Sequence, residues 1–167
     1  ELVHRGTEPR MLSYDIPLAE FRLLLKRPFL ESIDSLLGTS ERLPPSQGIL
    51  IKPGEEFSLI NALGAVDQTT GYLPELVIKG NKTTPEYGGG LCQIGTTIFR
   101  TAMASGLPIT ERQNHSYNVT YYLENGLPGT DATIYIPHPD VKFINDTGNY
   151  ILIKNRIQGD NLYFDFW

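Results

Sequence analysis

The only cysteine of the chain, Cys92, follows Gly88, Gly89 and Gly90 and precedes apolar residues at Ile94, Ile98, Phe99, Ala102 and Met103. That spacing is one buried helical face, and Gly106 followed by Pro108 is a stop signal. A cysteine in the first turn of a helix meets unpaired N–H groups and the positive end of the dipole, which favour the thiolate. A nucleophile of this kind also needs a base and a group that orients the base. His115 and Asp131 follow in chain order. The expected chemistry is attack of Cys92 on a carbonyl, with His115 taking and returning the proton and Asp131 holding the imidazole. The N–H of Cys92, with Gly89, Gly90 or Gln93, would bind the developing oxyanion. Arg112 suits a bidentate grip on a substrate carboxylate, and Asp140 is the alternative orienter.

Each residue also has a plainer role. A lone cysteine in an apolar helix is usually a small core residue, and an aspartate in Gly129-Thr130-Asp131 reads as a turn residue. Cys92, His115 and His138 are zinc-type ligands, but no tight spacing joins them, so no metal is expected. The glycine run lacks the Lys-Ser/Thr of a phosphate loop, so no nucleotide and no other cofactor is expected. His4 and His138 read as surface residues.

Two strands are expected to position the histidine and the acid. Tyr117, Val119, Tyr121 and Leu123 alternate with polar neighbours after His115, and residues 132–136 form a second extended run after Asp131. Antiparallel pairing of the two would set His115 beside Asp131, with the sheet against the helix. Further strands are expected at 49–51, 76–78 and 141–144, and a hairpin at 150–157 and 162–167. Residues 80–86 read as loop. Residues 1–47 read as a helical preface, with helices near 17–26 and 29–37, packing on a main domain of residues 48–167. The fold class is therefore α+β, an antiparallel sheet packed on a central helix.

Composition bounds the partners. Fourteen basic against nineteen acidic residues give a net charge of −5, and no basic cluster offers a nucleic-acid face. No apolar run approaches the ~20 residues of a membrane span. The chain begins at Glu1, so an upstream signal or anchor is compatible with it. One cysteine excludes an internal disulfide.

The run GGGLCQIGTTIFRTAMASGLPITERQNHSYNVTYY, followed by Gly129-Thr130-Asp131-Ala132-Thr133, resembles the VanW family, named from vancomycin-resistance clusters. Pro53-Gly54-Glu55-Glu56-Phe57-Ser58, Leu63-Gly64 and Gly71-Tyr72 match the same pattern in order. The resemblance covers roughly residues 48–167. It implies a bacterial cell-envelope setting and a partner in peptidoglycan or its peptide precursors. With the residues above, the expected function is a cysteine-dependent hydrolase or transferase acting on peptide or amide bonds of peptidoglycan-like material. The alternative is a non-catalytic module, linked to glycopeptide resistance, that binds peptidoglycan or an envelope partner. Tyr72, Tyr87, Tyr117, Tyr121 and Tyr122 are its candidate contacts.

Overall fold

The computed structural model describes residues 12–13, 48–72, 74–79, 82–117, 122–123, 129–158 and 161–167. In chain order these form β1 (Leu12–Ser13), β2 (Ile49–Ile51), β3 (Glu56–Ser58), α1 (Leu59–Leu63), a 3-10 turn (Gln68–Thr70), β4 (Pro74–Lys79) and β5 (Lys82–Tyr87). The long helix α2 (Leu91–Ala104) follows, then β6 (Ile109–Glu111), β7 (Lys142–Ile144), β8 (Ile151–Gln158) and β9 (Asn161–Phe166). The fold is α+β, as the sequence implies. Among the described residues the single expected sheet is three antiparallel ones, ordered β1-β9-β8-β2, β3-β7-β6 and β4-β5.

The helix α2 packs on β9 and β6, and its apolar period matches its burial. Leu91, Ile94, Ile98 and Ala102 are buried together. Met103, expected on this face, is instead exposed. At 3.6 residues per turn it lies half a turn round from Ile94. The threonines on the buried side satisfy themselves: Thr97 Oγ1 donates to Gln93 O at 2.8 Å and Thr101 Oγ1 to Thr97 O at 2.8 Å. A buried hydroxyl without a partner would cost stability.

In the large sheet Ile51, Ile151, Ile153, Phe164 and Phe166 turn to the core. Phe143 of β7 stacks on Phe57 of β3 at 4.8 Å and meets Phe166 of β9 at 5.7 Å, so the aromatic contact ties two sheets into one core. Asn145 follows β7 and is fully buried. Its Nδ2 donates to the carbonyls of Ile51, Lys52 and Asn149 at 3.0, 3.1 and 2.8 Å, fixing the end of β2.

Two expectations change, and two others fall mostly outside the described residues. Residues 82–86, read as part of the loop 80–86, form β5 together with Tyr87; among the described residues its partner is β4 alone, and a two-stranded ribbon has room for Pro85, which a central strand would lack. Residues 132–136 are not a strand, because their main chain bonds to helix side chains and to irregular segments. In the alternating run 117–123, residues 118–121 lie outside the described residues, and Tyr117, Tyr122 and Leu123 are not in a strand. Of the helical preface, only Leu12–Ser13 is described, and it is extended against β9; the rest of 1–47 lies outside the described residues. The hairpin β8–β9 and strands β2, β4 and β7 stand where the sequence places them.

Candidate functional site

The site begins at the turn before α2. Gly90 caps the helix with φ 90°, a left-handed conformation that a side chain would strain. Cys92 is therefore the second helical residue, as expected. Three residues on, Gly95 faces the segment 132–134: a Cβ there would lie 2.5 Å from Ile134 Cγ1. The glycine lets this segment lie directly along the helix.

That segment is pinned rung by rung. Ala132 N donates to Thr96 Oγ1 at 3.0 Å, and Thr96 Oγ1 lies 3.2 Å from Ala132 O. Ile134 N donates to Cys92 Sγ at 3.5 Å, and the thiol donates to Ile134 O at 3.7 Å. Further along, the buried Arg100 donates through Nε to Thr130 O at 2.7 Å and through Nη2 to Tyr122 O. A helix face thus takes the place of the expected β-ladder.

On the other side of residues 131–133 runs the stretch 112–115. Thr133 N donates to Gln113 O at 2.7 Å, and His115 N donates to Asp131 Oδ2 at 2.8 Å. The same Oδ2 meets His115 Nδ1 at 2.5 Å. His115 and Asp131 are therefore side by side, without the strand pairing invoked for them. The Tyr122 ring stacks on the imidazole with centroids 4.9 Å apart. Burial pushes the Asp131 carboxyl up, but the amide and ring of His115 outweigh it and hold the carboxyl below its usual value.

Arg112 is committed to the same knot. Its Nε donates to Asp131 O at 2.7 Å, Nη2 bonds Gly129 O, and Nη2 lies 3.6 Å from Asp131 Oδ1. The guanidinium also sits 4.8 Å over the Phe99 ring. Much of the fork expected for a carboxylate ligand holds main chain instead. Asp140, the alternative orienter, sits elsewhere and caps α1, accepting from Ser58 Oγ at 2.6 Å and Ile60 N at 3.0 Å.

The expected thiolate is where the site departs most from the sequence. Burial pushes the Cys92 thiol up, and the charge of Asp131 pushes it the same way; the N–H groups of Ile134 and of Cys92 itself oppose them without prevailing. Desolvation outweighs the helix terminus. Among the described residues no hydrogen bond joins Cys92 to His115. The buried Tyr72 and Tyr122 are not accessible as contacts, whereas Tyr87 and Tyr117 (62 % exposed) are; Tyr121 lies outside the described residues. Among the described residues no His, Cys, Asp and Glu group could hold a metal, and no helix is long and apolar enough to cross a membrane.

Comparison with known proteins places this arrangement. The profile of the family described as VanW like protein matches residues 45–167, which takes in α2, His115, Asp131 and every described strand but β1. The chain belongs to the VanW family. It is 36% identical over 103 residues to the vancomycin B-type resistance protein VanW of Enterococcus faecalis (strain ATCC 700802 / V583), across 60% of this chain and 37% of that protein. It is 31% identical over 113 residues to the uncharacterized protein YoaR of Bacillus subtilis (strain 168), across 68% of this chain and 36% of that protein. The chain thus spans little more than a third of the length of these relatives. No solved structure matches.

Sequence reasoning missed Thr96 and Arg100, the two polar residues that anchor the VanW segment 130–132. The apolar period gives no signal for them, because both lie more than half a turn round from Ile94, on the face where polar residues are expected; their burial comes from the segment that folds back onto that face.

Proposed function

We propose that this VanW chain is a bacterial cell-envelope module that binds peptide-bearing, peptidoglycan-type material without cleaving it. The observation that carries the reading is the state of Cys92. Its sulfur is engaged by the main chain of Ile134 and kept protonated by burial. A thiol so held is a packing element, and reactive cysteines occupy electropositive, accessible places. The envelope setting rests on the family and on a relative named for vancomycin resistance. The ligand would meet the polar surface around His115 and the exposed Tyr117.

A catalytic reading has one observation in its favour. Asp131 fixes the His115 ring through Nδ1, which leaves Nε2 as the proton-accepting position of an oriented imidazole. The two readings separate on Cys92→Ala. Binding of purified muropeptides to wild type, retained in Cys92→Ala, together with native alkylation no faster at pH 7 than expected of a thiol of pKa above about 8.5, is the expected result. Turnover of muropeptides by wild type that is lost in Cys92→Ala overturns the binding reading in favour of the cysteine hydrolase.

A further inference from the structure

The turn that starts α2 leaves main-chain donors unused. Of the N–H groups there, Leu91 N closes on Gly88 O at 3.2 Å and Gln93 N on Gly90 O at 2.9 Å. Gly90, as the cap, has no side chain to offer. Among the described residues the N–H groups of Gly90 and Cys92 meet no acceptor beyond the sulfur of Cys92 itself. A second observation bears on the same place. Gln93 is 6 % exposed, and its Oε1 is buried with no hydrogen-bond partner. Helical side chains lean over the turn N-terminal to their own Cα, so Gln93, the third residue of α2, is carried back toward the Gly89–Gly90 turn.

An unsatisfied buried acceptor destabilises a fold, and the N–H groups of the turn toward which Gln93 leans, Gly90 with no acceptor and Cys92 with only its own sulfur, define what would complete the set. A bare anion would use the N–H groups and leave Oε1 unpaired. An amide supplies both an acceptor and a donor. We infer that the Gly89–Gly90 turn and the first turn of α2 bind one peptide group of the ligand. Its carbonyl accepts from the N–H groups of Gly90 and Cys92, and its N–H donates to Gln93 Oε1. This rests on the peptide-binding function proposed above and locates its main-chain recognition. It also gives the half-buried Cys92 a role in which its backbone is used while its sulfur holds Ile134 in place.

The test compares wild type with Gln93→Met, which keeps the length of the side chain and removes the acceptor. A muropeptide mixture from enzymatically digested peptidoglycan is titrated into each protein, with binding followed by calorimetry and by the amide resonances of Gly90 and Cys92. The expected result is that wild type binds with shifts at both amides. Gln93→Met should bind at least about tenfold more weakly, as for loss of a buried hydrogen bond, with a Tm equal to or above that of wild type. Inorganic phosphate should leave the two amides unmoved. Binding by wild type that Gln93→Met retains in full, or that leaves the two amides unmoved, overturns this inference while the binding function stands. Phosphate shifting the amides as strongly as the muropeptides makes the turn an anion site and also overturns it. A lowered Tm in Gln93→Met would show Gln93 to be structural and overturn its role. Absence of any muropeptide binding to wild type removes both proposals.

Discussion

Gly95→Ala is the sharpest probe of how the VanW segment 130–134 lies on its helix. In an open helix this change stabilises by about 1 kcal/mol, because alanine loses less backbone freedom than glycine. Here the new methyl would sit 2.5 Å from Ile134 Cγ1, 3.0 Å from Ile134 Cδ1 and 3.7 Å from Ala132 O. Carbon contacts are optimal near 3.5–4 Å, so the deficit approaches about 1 Å. Cδ1 can swing aside, but Cγ1 is attached to Cβ and moves only with the backbone or a change of χ1. Overpacking of this kind costs about 1–3 kcal/mol. Set against the helical gain, the variant should be less stable by about 1 kcal/mol, read as a lower urea midpoint by circular dichroism at unchanged slope. In an Ile134→Ala background the obstruction is gone, and the same substitution should stabilise by up to about 1 kcal/mol. The coupling between the two sites is therefore about 2 kcal/mol. Lifting Ile134 also weakens its contacts with Cys92 Sγ, so Gly95→Ala should speed alkylation of the thiol. Equal effects of Gly95→Ala in the two backgrounds, or stabilisation in the wild-type background, would refute the close approach.

Two further changes probe the frame and the acid response. Asn145→Ala should cost about 2 kcal/mol by urea denaturation, because it removes the amide that serves the buried carbonyl of Ile51, whereas the Lys52 carbonyl keeps its bond from Glu55 N. A cost under ~0.5 kcal/mol, the range of a neutral surface change, would show that water replaces the side chain there. Glu111 accepts from Lys142 at 2.7 Å and from Asp140 N at 3.0 Å. The Lys142 hydrogen bond, then that amide, hold its carboxyl down at about 2. A depressed acid stabilises fully above its ordinary range and loses that contribution as pH falls toward the folded value. Glu111→Gln should thus flatten the fall of the urea midpoint between ordinary carboxylate titration and about pH 2. The Asp131 contribution, of the same sign, should remain. An unchanged acid profile would count against the Glu111–Lys142 pair.

The elements that carry their own local signal were legible. The α2 period, the glycine start and the β8–β9 hairpin all follow from residue spacing, and the family follows from the run around Cys92. The pairing of His115 with Asp131 was also reachable, although by the wrong route. Chain order suggested two strands, and the fold uses a helix face instead. Thr96 and Arg100 replace the ladder, and no period-2 or period-3.6 rule announces a main-chain segment bonded to helix side chains. The thiol of Cys92 departs from expectation for an electrostatic reason. The helix terminus is visible in sequence, whereas the desolvation that overrides it depends on residue 134 folding back across more than forty positions. The stretch 80–86 reads as loop, and β5 within it was not legible, because the tolerance of Pro85 in a strand depends on where the strand sits in its sheet.

The β4–β5 ribbon has a consequence for how cooperative this molecule is. Among the described residues it joins neither larger sheet, and a lone pair of strands is marginal by itself. It therefore belongs to the tier of structure that opens at small free energy, while α2, clamped between the large sheet and residues 130–134, opens only with the whole domain. The boundary between the two tiers falls at Gly88–Gly90. A ligand seated there would bridge a soft unit and a hard one. Part of its binding free energy would then appear as slower amide exchange in the ribbon, a rigidification that travels back along the chain from the helix.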